Sequence, residues 1–497
     1  METKHFDVLI VGAGISGIGS AYHLRRNLPD KSFVILDALD DFGGTWRTHQ
    51  YPGIRSDSDL FTFGYRFKPW TGVPIATGAE ILAYMGEVIE DNDLGGHIRY
   101  GHRILSAAWS SDTDLWTVEA ERTDTGERLS FTAGFLWMCQ GYYRHQEGYT
   151  PQWPGMESFK GRIVHPQTWP KDLDYEGKKV VVIGSGATAA TLIPSIADDA
   201  AHVTMLQRSP TYFVPGRNVD DLADTLRGLE IDETWIHEIV RRQRLRMGEE
   251  FTRRSFEEPE AVKQELLAGV TAFVGPEITA QHFTPKYRPW RQRIAFVPEG
   301  DLFRKVREGK ASVATGEIDR FTEAGILLKS GETLDADIVV TATGFNLSVL
   351  GDIRFEVDGQ PVDYAKTVTY RGMMFTGVPN LVWVFGYFRA SWTLRVDIMA
   401  DFVCRLLAHM DRKGAAKVSV ALRPQDAGMA LAPWMDAENF NPGYLMRSMH
   451  LMPMAGDKPE WRHTQDYWAE RNSLPTTDLD GPEFVYASRA APAIAAE

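Results

Sequence analysis

Short apolar runs alternate with stretches of helical composition along the chain, beginning at residues 7–11. That run, Asp-Val-Leu-Ile-Val, is followed by a glycine-rich turn, by helical composition over 18–27 and by a second apolar run at 32–37. A strand, a helix and a second strand in this order predict a parallel sheet whose strands are buried on both faces.

The same order recurs in the middle of the chain. Residues 178–184 predict a strand, residues 185–190 a turn that enters a helix, and residues 202–208 the next strand. Residues 148–177 are rich in Pro, Gly and polar side chains, which is typical of a linker. The pattern therefore predicts an α/β protein with two Rossmann-like dinucleotide-binding units.

The remaining segments differ in their periodicity. Residues 218–275 carry scattered apolar positions of helical spacing and predict a helical insertion. Strand character returns at 331–343 and 381–387, and residues 393–411 predict a helix that packs on the sheet. The tail from Pro475 onward is predicted to be loosely held.

Composition narrows the possible functions. A chain of 497 residues is too long for one hydrophobic core and indicates two or three domains. A net charge of −14 argues against non-specific nucleic-acid binding. The two cysteines, Cys139 and Cys404, lie far apart in sequence and form no disulfide framework, no C-x-x-C pair and no Cys/His cluster with metal spacing. No apolar run reaches the roughly 18 residues of a membrane span, and the strand starting near residue 6 leaves no room for a signal peptide, so we expect a cytoplasmic protein.

The first glycine-rich turn has the spacing of a dinucleotide site. Gly12, Gly14 and Gly17 form G-x-G-x-x-G between a strand and a helix, with Ser16 inside the motif. Such a turn lets a pyrophosphate approach the backbone at the helix N-terminus. Asp37, at the end of the next strand, is placed to accept hydrogen bonds from ribose hydroxyls. A glycine turn made only for packing is the less favoured alternative.

The second glycine-rich turn indicates a nicotinamide cofactor. It reads G-x-G-x-x-A, where alanine serves at the third position because that position concerns packing; its residues are Gly184, Ser185, Gly186, Ala187, Thr188 and Ala189. The following strand ends in Arg208 and Ser209 instead of an acid. Because an arginine can bind a 2′-phosphate, this favours NADPH over NADH. The alternative is that Arg208 pairs with a surface carboxylate.

Two longer motifs carry a family resemblance. Residues 159–170 read F-x-G-x-x-x-H-x-x-x-W-P, and residues 43–57 read G-G-x-W-x-x-x-x-[FY]-P-G-x-x-x-D. The first resembles the fingerprint of type I Baeyer–Villiger monooxygenases, which are class B flavoprotein monooxygenases. Residues 51–59, 182–189, 205–212 and 390–394 look closest to the ethionamide-activating monooxygenase subgroup.

The resemblance implies an enzyme that uses FAD, NADPH and O2. Members convert ketones to esters or lactones through a C4a-peroxyflavin, and this subgroup also oxygenates sulfides and thioamides. By resemblance the first unit holds FAD; the implied contacts include Gly44, Thr45, Trp46, Asp57 and, through its backbone, Ile104. The implied boundaries are 1–147 and 341–497 for the FAD-binding domain, 148–215 and 286–340 for the NADP-binding domain, and 216–285 for the helical insertion.

The resemblance also assigns the reactive groups. By resemblance, Arg293 stabilises the negative charge that develops during the reaction, and Asp57 orients Arg293. Local sequence alone favours an exposed salt bridge or a solvated basic run, since Arg288 and Arg291 lie nearby. The chain departs from many family members at Gln292, where they have a lysine that helps to hold the NADPH phosphate, so selection against NADH could be weaker here.

Other motif residues have less direct roles. His165 lies in the linker, and we expect it to connect the two units and not to transfer protons. Residues 390–394 are a candidate pocket-lining loop, in which Trp392 is equally plausible as a core residue.

Two other functions stay open at this point. One is a flavin-containing monooxygenase specialised for N- or S-oxygenation, which residues 169–170 and Asp57 argue against. The other is a two-nucleotide flavoprotein that senses redox state or passes electrons to a protein partner; the missing cysteine pair argues against it.

Overall fold

The computed structural model describes residues 3–488 and contains two separate sheets with parallel strands. The predicted α/β class with two Rossmann-like units is confirmed. Long apolar runs form the central strands because helices and loops cover both faces of each sheet.

The first sheet has nine strands drawn from both ends of the chain. In spatial order they are Gln360–Pro361, Arg354–Val357, His102–Ser110, Leu115–Arg122, Arg128–Met138, Lys4–Val11, Phe33–Leu36 and Ile98–Arg99, and Leu381–Trp383 also pairs with Arg128–Met138. The strands from residue 4 to residue 36 run parallel to Arg128–Met138, whereas 102–138 form an antiparallel meander. The side chains from Val8 to Val11 are buried, as the apolar run predicts.

The second sheet has five parallel strands. In order they are Ala311–Thr315, His202–Gln207, Lys179–Ile183, Ile338–Thr341 and Arg162–Val164. The last of these lies inside the predicted linker, so the linker interpretation was wrong for residues 162–164. The three residues Arg-Ile-Val are too few to give a recognisable period, and they form a strand because Ile338–Thr341 offers them an edge.

Thirteen helices lie in the described part of the chain. They are Ile15–Asn27, Thr45–Thr48, Leu60–Phe63, Gly78–Asp91, Ala187–Ile196, Asp221–Gly228, Glu233–Glu257, Pro259–Val274, Pro276–His282, Asp301–Arg307, Trp392–Lys413, Gly443–Ser448 and Tyr467–Ser473. Asp220 and Asp232 cap two of them by accepting hydrogen bonds from backbone amides two or three residues later. Short 3₁₀ turns lie at 95–97, 156–158, 166–168, 349–352, 364–366, 424–426, 449–451 and 459–461.

Smaller groups of two or three strands lie outside the two large sheets. They are Phe213–Gly216 with Ala295–Pro298, Tyr143–Gly148 with Phe345–Leu347, Thr369–Tyr370 with Met374–Phe375, Leu431–Pro433 with Met454–Gly456, and the three-stranded Ile318–Thr322, Gly325–Leu328 and Thr333–Asp335. Tyr143–Gly148 and Phe345–Leu347 belong to the two chain segments that connect the sheets.

The helical segment contacts the first unit as well as the second. The buried Arg241, on helix Glu233–Glu257, donates to the carbonyl oxygens of Phe61, Thr62 and Gly64 at 2.8, 3.2 and 3.0 Å. Since a buried guanidinium is costly unless its donors are satisfied, these bonds hold the helix to the first unit.

The predicted loose tail was wrong for residues 475–488. Phe484–Ser488 forms an antiparallel pair with Ala415–Val420, and the side chains of Leu479 and Phe484 are buried. These apolar contacts hold the segment against the first unit. Residues 489–497 lie outside the described part of the chain.

Within residues 3–488, no helix combines the length and the apolarity that crossing a bilayer requires.

Candidate active site

A cavity of about 1430 Å³ lies where the two glycine-rich turns face each other. Of the residues predicted for the site, the following line it: Gly12, Gly14, Ser16, Asp37, Gly44, Thr45, Trp46, Asp57, Ile104, Gly184, Ser185, Gly186, Ala187, Thr188, Arg208 and Arg293. Gly17, Ala189 and Ser209 do not line it. One cavity thus collects residues that lie up to 281 positions apart in the sequence, from Gly12 to Arg293.

The first turn has the local geometry of a phosphate cradle. Gly12 has a φ of +100°, and its N–H donates to the carbonyl of Leu36 at 2.8 Å. Gly14 then caps helix Ile15–Asn27 in extended conformation, so the free amides of the first helical turn face the cavity. At Gly17 an added Cβ would lie 1.8 Å from the carbonyl oxygen of Gly12, so this glycine serves packing.

Asp37 supports the first turn from the neighbouring strand. Its carboxylate accepts hydrogen bonds from the amides of Ala13 at 2.6 Å and Leu39 at 2.8 Å. Burial raises the pKa of this carboxyl group. The ribose contact expected for Asp37 stays a prediction, and the structure adds a role in holding the turn.

The second turn repeats this geometry in the second sheet. Gly184 has a φ of +136° and donates its N–H to the carbonyl of Leu206 at 2.8 Å. Gly186 caps helix Ala187–Ile196 in extended conformation. The side chain of Ser185 bonds the hydroxyl of Thr211 at 2.8 Å. Both turns therefore present helix N-termini to the same cavity.

Both turns leave space where a pyrophosphate would lie. A Cβ built on Gly14 meets no atom closer than 3.6 Å, and one built on Gly186 meets none within 4 Å. The backbone at both positions is one that alanine also adopts. Room for a ligand, and not backbone strain, is thus the feature that these two glycines supply, and the residues present fit two dinucleotides.

Asp57 and Arg293 form a bidentate ion pair at the cavity wall. Arg293 donates from Nε to one carboxylate oxygen at 2.6 Å and from Nη2 to the other at 2.8 Å. The Arg293 side chain is 41% exposed and the Asp57 side chain is 22% exposed, so the pair faces the open cavity. Two parallel bonds of this kind fix the plane of the guanidinium.

The pair keeps both groups charged. Burial is the largest single influence on Asp57 and would raise its pKa, but the charge and hydrogen bonds of Arg293, together with smaller hydrogen bonds, lower the pKa overall. Burial is likewise the largest influence on Arg293 and would lower its pKa, but the charge and hydrogen bonds of Asp57, with smaller contributions from nearby tyrosines, raise the pKa overall. Arg293 therefore presents a permanent cation to the cavity.

The neighbouring arginines have other partners. Arg291 pairs with Glu438 at 2.9 Å, and Arg288 and Arg389 both donate to the backbone carbonyl of Asn439, at 2.9 and 2.8 Å. These contacts attach the segment around Arg293 to a loop more than 140 residues later. Gln292, which replaces the lysine of many family members, also lines the cavity.

Trp392 belongs to the cavity wall and to the core. Its indole N–H donates to the hydroxyl of Ser16 at 2.8 Å, and its ring stacks on Tyr142 with centroids 5.2 Å apart. It also packs against the two core clusters of the first unit. Trp392 is therefore both a pocket residue and a core residue.

His165 lies outside the cavity lining and joins the two connecting segments. Its Nδ1 accepts from the amide of Gln167 at 3.1 Å, so Nε2 carries the proton and donates to the carbonyl of Gly344 at 3.0 Å. Its ring fills the space where a side chain on Gly148 would lie. Burial lowers the pKa of His165. These contacts favour the coupling role that the sequence suggests.

Several cavity residues escaped the sequence reasoning. The chief ones are Tyr142, Tyr143, Tyr387, Tyr444 and Arg447. Tyr142 and Tyr143 could have been predicted from the sequence, because they follow strand Arg128–Met138 and ligands bind beyond the carboxyl ends of parallel strands. No local pattern marks the other three.

Two family models match separate parts of the chain, and relatives match nearly all of it. Residues 10–70 match a family described as "NAD(P)-binding Rossmann-like domain", and residues 75–222 match one described as "Flavin-binding monooxygenase-like". "FAD-containing monooxygenase EthA" of Mycolicibacterium smegmatis is 46% identical over 481 residues, which cover 96% of each chain. "Probable FAD-binding monooxygenase AlmA" of an Acinetobacter species is 44% identical over 477 residues, covering 95% of this chain and 94% of that protein.

Solved structures share the overall fold. A steroid monooxygenase bound to NADP superposes with a TM-score of 0.74 at 23% identity, covering 98% of this chain and 100% of the other. Cyclohexanone monooxygenase bound to ε-caprolactone superposes with a TM-score of 0.73 at 21% identity, with the same coverage. At this identity the likeness establishes the fold.

Proposed function

Because this chain belongs to the family of FAD-containing monooxygenases, we propose that it uses NADPH and O2 to convert ketones to esters or lactones. One oxygen atom enters between the carbonyl carbon and a neighbouring carbon. The other leaves as water, with a hydride (two electrons and one proton) from NADPH and a second proton from solvent. Bound FAD supplies the redox chemistry that passes these electrons to O2.

The observation that carries this proposal is the bidentate pair of Arg293 and Asp57 at the cavity wall. Attack on a ketone puts negative charge on the carbonyl oxygen. A fixed cation in a cavity that excludes water stabilises such charge without having to reorganise. We propose that Arg293 is this cation and that Asp57 holds its plane, while its Nη1 is not used by either bond to Asp57.

We further propose that the first sheet binds FAD and the second binds NADPH. The cradle at Gly14 would hold the FAD pyrophosphate, and the equivalent cradle at Gly186 would hold that of NADPH. The boundaries given from the sequence are our proposed domain limits. A cytoplasmic location and the contacts of Ile104 and Ser209 also stay predictions.

A ketone panel tests the reaction. Purified protein loaded with FAD is incubated with NADPH and linear, cyclic and aryl ketones, and with alkyl aryl sulfides and thioamides. We expect esters or lactones from at least one ketone class and oxygenated products from some sulfur compounds. Sulfoxides without any ester would instead identify an N/S-oxygenating enzyme, and the Baeyer–Villiger proposal would fail.

Arg208 is expected to select NADPH over NADH. It lines the cavity at the end of strand His202–Gln207, and no ion pair engages it within residues 3–488. Since a charge-assisted hydrogen bond contributes about 1.5–3 kcal/mol, Arg208→Ala should raise the KM for NADPH about 10- to 100-fold and leave that for NADH unchanged. Steady-state oxidation of each cofactor measures both constants.

Arg217→Ala is the matched control, because Arg217 is exposed and pairs with Asp221 outside the cavity. Its KM values should equal those of the wild type. An equal rise for NADPH and NADH in Arg208→Ala would contradict a role in binding the 2′-phosphate.

A further inference from the structure

Three tyrosines stand beside Arg293 in the cavity. Tyr142, Tyr143 and Tyr444 all line it, and the hydroxyls of Tyr142 and Tyr143 are hydrogen-bonded to each other. The ring of Tyr444 lies 6.3 Å from that of Tyr142 and 6.0 Å from that of Tyr143, measured between centroids. Arg293 lines the same cavity, where its charge lowers the pKa of each phenol against the larger effect of burial, and we call these four groups the tyrosine cluster.

The rings of this cluster are held from several sides. Tyr142 stacks on Trp392, and Tyr143 packs on Phe345 with centroids 4.3 Å apart. Tyr444 lies on the short helix Gly443–Ser448, more than 300 residues from the other two. Because packing fixes rings more firmly than it fixes hydroxyl hydrogens, the cluster offers O–H groups at set positions with adjustable proton directions.

The phenols are suited to donate hydrogen bonds and not to remove protons. Burial raises the pKa of all three tyrosines well above 10. Each therefore keeps its proton at neutral pH. The Tyr142–Tyr143 bond uses one of the three protons. The hydroxyls of Tyr142 and Tyr143 also act on the hydroxyl of Tyr444, so the three phenols form one network.

The site has room for a second donor. Arg293 spends Nε and Nη2 on Asp57. A carbonyl oxygen that gains negative charge has room for more than one donor, and oxyanion sites use several. The cluster beside the guanidinium supplies such a group.

We propose that Tyr444 donates a hydrogen bond to the carbonyl oxygen of the ketone substrate, alongside Arg293. The Tyr142–Tyr143 pair positions Tyr444 and restricts the carbonyl oxygen of the ketone to the part of the cavity beside Arg293 and Tyr444. This inference rests on the proposed ketone oxygenation and assigns its second donor. A sulfide has no carbonyl oxygen, so its oxygenation does not use the Tyr444 hydroxyl.

The test compares ketone and sulfide turnover in Tyr444→Phe. We expect ester formation to fall about 100-fold, the loss typical of removing one oxyanion donor. Sulfoxide formation and the amount of bound FAD should be unchanged. NADP⁺ binding, monitored by the change in flavin absorbance, should also be unchanged. The rate of anaerobic FAD reduction by NADPH should also be unchanged, because it precedes any contact with the ketone.

Tyr364→Phe is the matched control. Tyr364 is a buried tyrosine outside the cavity whose hydroxyl has no hydrogen-bond partner within residues 3–488. Its ester formation should equal that of the wild type. Tyr143→Phe removes the hydrogen bond between Tyr142 and Tyr143 and should reduce ester formation less than Tyr444→Phe does. If Tyr444→Phe purifies without FAD, Tyr143→Phe is used in its place.

The outcomes separate this inference from the proposed function. A wild-type enzyme that forms no ester from any ketone overturns the proposed function and the inference with it. A wild-type enzyme that forms ester, together with a Tyr444→Phe variant that forms it equally fast, overturns the inference alone. Equal losses of ester and sulfoxide also overturn it, because they would show a general role in the cavity.

Discussion

Arg293→Ala is expected to form ester about 1000-fold more slowly while still binding FAD and accepting electrons from NADPH. Arg293 presents a permanent cation to the cavity, and its plane is fixed by two bonds to Asp57. Removing one fixed donor commonly costs 100- to 1000-fold in turnover, so we expect a loss on the order of 1000-fold when the charge is removed as well. Ester yield by gas chromatography and anaerobic flavin reduction measure the two halves separately.

The neighbouring arginine provides the control. Arg291 lies two positions earlier, but it pairs with Glu438 and not with Asp57. Arg291→Ala should therefore keep its ester yield. Ester formation retained by Arg293→Ala, or lost equally in both variants, would show that the cation has been assigned to the wrong residue.

Asp57 shows how far the sequence alone could reach. The two glycine turns were recognisable because their residues are adjacent in the chain and their spacing reflects one local structure. Asp57 and Arg293 are 236 positions apart, and nothing in their flanking residues says that they meet. Only the family resemblance paired them, and the structure brings them to 2.6 Å.

The tyrosine cluster was missed for the same physical reason. Tyr142 and Tyr143 follow a recognisable strand, but Tyr444 reaches them from a short helix that has no periodic signal. Three tyrosines in a chain with 17 of them carry no information until the fold brings them together. Clusters formed by tertiary packing are visible only after the sheets are assembled.

The helical segment illustrates a different limit. Its helices were predicted from apolar spacing, but spacing gives a buried face and not the partner that buries it. Arg241 decides the partner by donating to three carbonyls of the first unit. The sequence does not distinguish a buried arginine from an exposed one, so the contact between this helix and the first unit could not be predicted.

Gly14→Ala is expected to produce a folded protein that has lost FAD. An alanine Cβ at this position meets no protein atom closer than 3.6 Å, and the φ of −79° suits alanine. The methyl group would instead occupy the space proposed for the FAD pyrophosphate. Overpacking by a methyl group costs about 1–3 kcal/mol, so FAD affinity should fall by up to about 100-fold. The ratio of flavin to protein absorbance after purification measures the loss.

Gly186→Ala makes the same change in the other cradle, so the two variants test the assignment of cofactors to sheets. Its Cβ meets no protein atom within 4 Å, and its φ of −83° also suits alanine. This variant should keep its FAD and bind NADPH more weakly, which titration with NADP⁺ measures. If Gly14→Ala lost NADPH and Gly186→Ala lost FAD, the two sheets would have the opposite cofactors. If neither variant lost a cofactor, the pyrophosphates would lie elsewhere, because a methyl group that meets no protein atom can weaken binding only by occupying the ligand's space.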